Sequence, residues 1–143
     1  IPPFAETCDT PITDPLTGGI VEIGPAGSAP FRPFMDREAI SPIFGGQGSP
    51  MVEYRFRVTR VEAPDCVRAV TTIAAAPIET VGEPRTIRLR CGESLGILTV
   101  VPSTASCPTA AVETTLTVEV VGIGTASATV LLPPNTFCPI LPG

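Results

Sequence analysis

Between residues 52 and 59 apolar and polar side chains alternate without a break: Val52, Tyr54, Phe56 and Val58 on one side, Glu53, Arg55, Arg57 and Thr59 on the other. A period of two is what a half-buried strand produces, because successive side chains leave a pleated sheet on opposite faces. The alternation returns at 85–90, where Ile87 and Leu89 oppose Arg88 and Arg90. It returns again at 111–121, where Val112, Leu116, Val118 and Val120 oppose Glu113, Thr115, Thr117 and Glu119. Shorter runs, "GIVEI" at 19–23, "VRAVTTIAA" at 67–75, "GILTVV" at 96–101 and "ASATVLL" at 126–132, complete an expectation of about seven or eight short strands. "PFRPFM" at 30–35 reads as extended or edge structure, since proline cannot donate to a ladder.

No proline-free stretch carries a helical period, and 18 prolines and 13 glycines punctuate the chain too often for long helices. The predicted fold is therefore all-β, an immunoglobulin-like antiparallel β-sandwich. The likeness concerns layers only, because the tryptophan and cysteine spacing of antibody domains is missing. A length of 143 residues suits one domain. Residues 1–18 hold four prolines and little apolar alternation, and are predicted to form an extended N-terminal segment before a sandwich domain at 19–143.

"GGQGSP" at 45–50 precedes the strongest strand. A phosphate loop would need a lysine and a following helix, and the chain has no lysine at all. Gly45, Gly46 and Gly48 instead permit the backbone of a turn or bulge, with Gln47 able to cap a neighbouring backbone group. This loop is a candidate partner contact, as loops on rigid scaffolds often are.

The five cysteines, at 8, 66, 91, 107 and 138, include no closely spaced pair, and no histidine exists to complete a zinc finger or ribbon. Spacing alone leaves many pairings open. If 67–75 and 85–90 form a hairpin folded near 78 and 79, Cys66 lies opposite Cys91; if 111–121 and 126–132 fold near 122 and 123, Cys107 lies opposite Cys138. The preferred pattern is Cys66 with Cys91 and Cys107 with Cys138. Cys8 is then a candidate free or interchain thiol, and Cys8 with Cys138 is the main rival. Two bridges would imply an oxidising compartment: extracellular, cell-surface or periplasmic. The bland alternative is five reduced cysteines in a cytosolic protein. A first residue other than methionine fits a trimmed product.

Chemistry is sparse. Without histidine there is no serine–histidine–acid arrangement and no ordinary histidine-bearing metal site, so neither a catalytic residue nor a cofactor or metal is assigned. "GESLG" at 92–96 has the glycine flanks of a nucleophile elbow but neither its helix nor a later histidine, and Ser94 reads as a turn residue. Glu113 and Glu119 share a strand face six residues apart, roughly 20 Å at strand rise, too far for paired-carboxylate hydrolysis. Asp9, Asp14, Asp36 and Asp65 are spread among loops, and no calcium-loop pattern occurs.

Arg55, Arg57, Arg88 and Arg90 are expected to pair across strands with Glu53, Glu113 or Glu119. The net charge of −5 and inward-facing Tyr54 and Phe56 argue against nucleic acid, and no apolar run is long enough to span a membrane as a helix. What remains is a non-enzymatic secreted or surface domain with a structural, adhesive or protein-binding role. The alternatives are a subunit of an extracellular assembly joined by N-terminal strand addition, with Phe4 and Ile12 entering a neighbour, and a carboxylate-based hydrolase.

Overall fold

The structure is a computed structural model whose described residues are 8, 11–12, 14–27, 29–44, 50–75, 78–82, 84–101 and 107–138. Ten strands run through them: β1 (Ile20–Pro25), β2 (Glu38–Ala39), β3 (Ile43–Phe44), β4 (Pro50–Thr59), β5 (Cys66–Ala75), β6 (Ile78–Val81), β7 (Arg85–Arg88), β8 (Ile97–Val100), β9 (Val112–Val120) and β10 (Gly124–Leu132). A short 3₁₀ turn, Pro134–Phe137, follows. The count exceeds the expected seven or eight because β2 and β3 are two-residue pairings, and because the connection after β5 is itself a strand, β6.

The strands form two sheets. In the first, β4 is central, with β1 and β3 along one edge and β8 along the other; in the second the order is β2, β10, β9, β5, β6, with β7 also on β5. All pairings are antiparallel except β2 with β10, which is parallel. That exception to the antiparallel expectation arises because residues 34–40 return along β10 instead of reversing against it, bonding Arg37 N–H to Thr129 O at 2.8 Å and Ile40 N–H to Leu131 O at 3.0 Å.

The alternation along β4 translates directly into burial. Val52, Tyr54 and Phe56 are fully buried and Val58 nearly so, while their neighbours are only half-covered. They meet Val67, Ala69 and Ile73 of β5, Leu116, Val118 and Val120 of β9, and Val130 and Leu132 of β10 in one hydrophobic cluster shared by both sheets. The Tyr54 hydroxyl reaches a partner inside this core, Thr99 Oγ1 at 2.8 Å. Burial pushes its pKa above the usual tyrosine value, the bond to Thr99 opposing, so the ring stays neutral where a phenolate could not be solvated. β4 ends at Thr59, because Arg60 adopts a φ of +68° and turns the chain.

Residues 29–35 fold back over the outer face of the first sheet as a strap. Arg55 Nε donates to Pro25 O at 2.8 Å and Arg55 Nη2 to Ala29 O at 2.6 Å. The Phe31 ring covers both the Arg55 and Arg57 guanidiniums, 5.4 and 4.5 Å from its centroid. Phe34 N–H bonds Ile23 O at 3.0 Å, and Arg32 forms a two-point bond with Glu38 at 2.8 and 2.7 Å. The backbones approach so closely at Gly24 that an added Cβ would lie 1.9 Å from Arg32 O.

Two stability measurements check this account. Phe56→Ala removes a fully buried ring and is expected to cost about 3–5 kcal/mol in denaturant unfolding. Gly24→Ala forces the strap outward and is expected to cost about 1–3 kcal/mol, although residue 24 gains an apolar methyl.

Candidate functional site

The cysteine bridges lie at opposite ends of the second sheet. Cys8 is bridged to Cys66, with Cα atoms 6.0 Å apart, and Cys107 to Cys138, 4.4 Å apart. The second pair is the one that the β9–β10 hairpin brings together. The first corrects the expected Cys66–Cys91 bridge and the expected free Cys8. Cys66 lies opposite Arg88, three positions short of Cys91.

The shift has a local cause. The hairpin reverses between Ala75 and Ile78, two residues earlier than a fold near 78 and 79, which slides the returning strand by four positions; one extra residue between Val81 and Arg85 restores only one of them and leaves Cys66 on Arg88. Beyond Leu89 the chain leaves β5 altogether and makes a two-residue hairpin, in which Arg90 and Glu93 exchange N–H···O bonds of 2.9 and 3.0 Å. Cys91 and Gly92 at its tip have φ of +52° and +80°, the positive values of a primed turn. The Cys91 thiol is thus exposed and unpaired. Ser94, in the arm of the same hairpin, is buried: its Oγ accepts from Phe56 N–H at 3.0 Å and its own N–H donates to Phe56 O at 2.9 Å. It ties the hairpin to β4.

The N-terminal segment is fastened to its own domain. Besides the Cys8 bridge, Ile12 N–H reaches Cys66 O at 3.4 Å and Leu16 N–H bonds Gly122 O at 2.7 Å. Ile12 is half-buried there. Phe4, Gly45, Gly46, Gln47, Gly48 and Asp9 lie outside the described residues.

Flanking the glycine cluster, however, is an apolar row. Ile43 and Val100 both lie opposite Met51, so the three side chains share the outer face across β3, β4 and β8. Ile43 is 41% exposed, Val100 56% and the adjacent Phe44 53%. An exposed apolar row beside a loop is the kind of surface that marks a contact with another macromolecule. Sequence reasoning missed it because β3 carries no periodic signal in two residues.

Several of the described charged groups are held in ion pairs. Arg57 pairs with Glu22 directly opposite on β1, Nε to Oε1 at 2.8 Å; Arg55 lies 3.9 Å from Glu93; Glu113 is paired with Arg37. The expected partners Glu113 and Glu119 sit on the other sheet, out of reach of Arg55 and Arg57. A wide groove of about 890 Å³ on the outer face of the second sheet is lined by Glu79 and Glu113 among threonines and alanines. A general acid acting near neutral pH is ordinarily a carboxyl withdrawn from water, whereas both of these side chains stand in solvent. Among the described residues no group of three or more acids or cysteines is arranged to hold a metal ion, and no helix is long and apolar enough to cross a membrane.

Compared with known proteins, the chain matches no family model, no curated protein and no solved structure. The geometry alone therefore carries the functional reading. It describes a disulfide-bonded all-β domain of two sheets with an exposed apolar row at one end.

The thiol assignment is open to direct measurement. In oxidised native protein, maleimide is expected to label Cys91 alone, and non-reducing peptide mapping to recover Cys8 with Cys66 and Cys107 with Cys138. Labelling of Cys8, or recovery of Cys66 joined to Cys91, would contradict the register of β7 against β5.

Proposed function

We propose that this chain is a non-enzymatic, immunoglobulin-like β-sandwich domain that works outside the reducing cytosol by binding another protein. The observation that carries this reading is the apolar row in which exposed Ile43 and Val100 flank half-buried Met51, with exposed Phe44 beside it. Its support is the scaffold beneath: two bridges of the sort that persist in oxidising compartments, and a core with a buried tyrosine that rigidly fixes β4 and hence the row. The chemistry is in keeping with binding. Threonine, valine and alanine supply surface, while the side chains that commonly serve as bases near neutral pH are missing, since the chain has no histidine.

Fluorescently labelled, oxidised protein added to intact cells of its source should bind saturably. Prior protease treatment of the cells should abolish that binding. Ile43→Ser combined with Val100→Ser is expected to weaken it tenfold or more with little change in melting temperature, because both side chains are exposed. Binding that survives protease or ignores these substitutions would defeat the reading.

A further inference from the structure

The outer face of β4 carries its side chains in the order Met51, Glu53, Arg55 and Arg57. The two arginines are engaged by the strap carbonyls, Phe31, Glu93 and Glu22. Glu53 differs from them. Among the described residues no ion pair reaches its carboxylate. The half-buried side chain lies over the backbone of Gly96, where an added Cβ would come within 2.7 Å of Glu53 Oε2. Arg85, the cation beside β8, donates to Leu98 O at 2.8 Å and forms no ion pair with Glu53.

Glu53 borders the apolar row. It stands two residues from Met51, about 7 Å along the strand, and directly opposite Leu98 on β8. The Leu98 side chain is half-buried and shares this outer face, because Ile97 and Thr99 turn to the core. Ile43, Met51 and Val100 span three strands, about 10 Å at the usual strand spacing, with Leu98 and Phe44 beside them. The surface is thus a small apolar patch with one unpaired carboxylate at its margin.

Size and charge decide what fits. Five apolar side chains are few beside the roughly 20–30 residues per partner of a standard protein interface, so the occupant is a short segment and not a folded face or a second copy. An apolar side chain laid over Met51 and Leu98 takes water from Glu53. A carboxylate so covered is costly unless a cation replaces that water, and the charge-assisted bond formed there is stronger than one in solvent. Glu53 therefore attracts basic segments and discriminates against purely apolar ones.

We infer that the row binds a short segment of the partner protein in which two or three large apolar side chains accompany a lysine or arginine, the cation meeting Glu53. This inference rests on the protein-binding reading and names the chemistry of its partner.

The probe is a library of short random peptides displayed on phage, selected against the oxidised parent protein and against Glu53→Gln and Glu53→Lys. Peptides selected by the parent should carry a lysine or arginine among Leu, Ile, Val or Phe, and should shift the amide resonances of Met51, Glu53 and Val100. Glu53→Gln should bind those peptides at least about tenfold more weakly and select apolar peptides without the basic residue, whereas Glu53→Lys should select acidic ones. Glutamine preserves the shape of the side chain, so the melting temperature of Glu53→Gln should match the parent's. Glu113→Gln, on the other sheet, should bind as the parent does. A parent selection without basic residues overturns the inference whatever the variants do. So does equal affinity in Glu53→Gln, binding that leaves Met51 and Val100 unshifted, or no enrichment at all. If any of these occurs while Ile43→Ser with Val100→Ser still weakens cell binding, the role of Glu53 falls and the protein-binding reading stands; if saturable cell binding is absent as well, both fall.

Discussion

The structure depends on one strand buried on one face. β4 contributes Val52, Tyr54, Phe56 and Val58 to the cluster between the sheets, and it is the only strand of the first sheet with neighbours along both edges among the described residues. Burying two rings and two valines yields on the order of 8 kcal/mol at about 1.5–3 kcal/mol each, comparable to the whole net stability of an ordinary domain. Everything in the first sheet takes its position from that burial. β1 and β8 align on β4, the Cys91 hairpin leans on it through Ser94, and the strap is held by the two arginines that alternate with its core residues.

The outer face of β4 changes character along its length, and that division separates two surfaces of different use. Arg55 and Arg57 are occupied by the strap, by Phe31 and by acidic partners, so they add order where bare arginines would add only charge. Met51, at the other end of the same face, is not covered by the strap and, half-buried, shares a row with exposed Ile43 and Val100. One strand thus presents a covered half and an open half. The covering acts through backbone carbonyls of the strap, which arginine satisfies with its fork of donors and lysine would satisfy less well.

The strands were legible in the sequence because alternation is a local property: a residue's face is decided by its immediate neighbours. The alternating residues at 52–58, 87–89 and 116–120 are buried as that reading expects. Pairing across strands was not legible to the same degree. The hairpin reverses between Ala75 and Ile78 instead of near 78 and 79, which moves Cys91 off Cys66, and nothing in "PIETVGEP" marks the earlier reversal or the strand that follows it. The Cys107–Cys138 pair survived the same kind of argument because "GIGT" makes a tight reversal and β9 and β10 stay in one register for nine residues. Surfaces were the least legible. The apolar row is created by which strands lie side by side, and the sequence does not state that order.

The bridges explain how so proline-rich a chain keeps its N-terminal segment in place. Closing loops of 58 and 31 residues removes unfolded-state entropy worth about 4 kcal/mol each at 25 °C in the chain-entropy account. The Cys8 bridge acts on a segment that contributes Cys8 alone to the buried core among its described residues, so its ordering comes from the covalent tie and the Ile12 and Leu16 bonds, with little burial of its own. It also decides what the segment does. Held across the end of the second sheet near Cys66 and Gly122, Cys8, Ile12 and Leu16 are tied to their own fold.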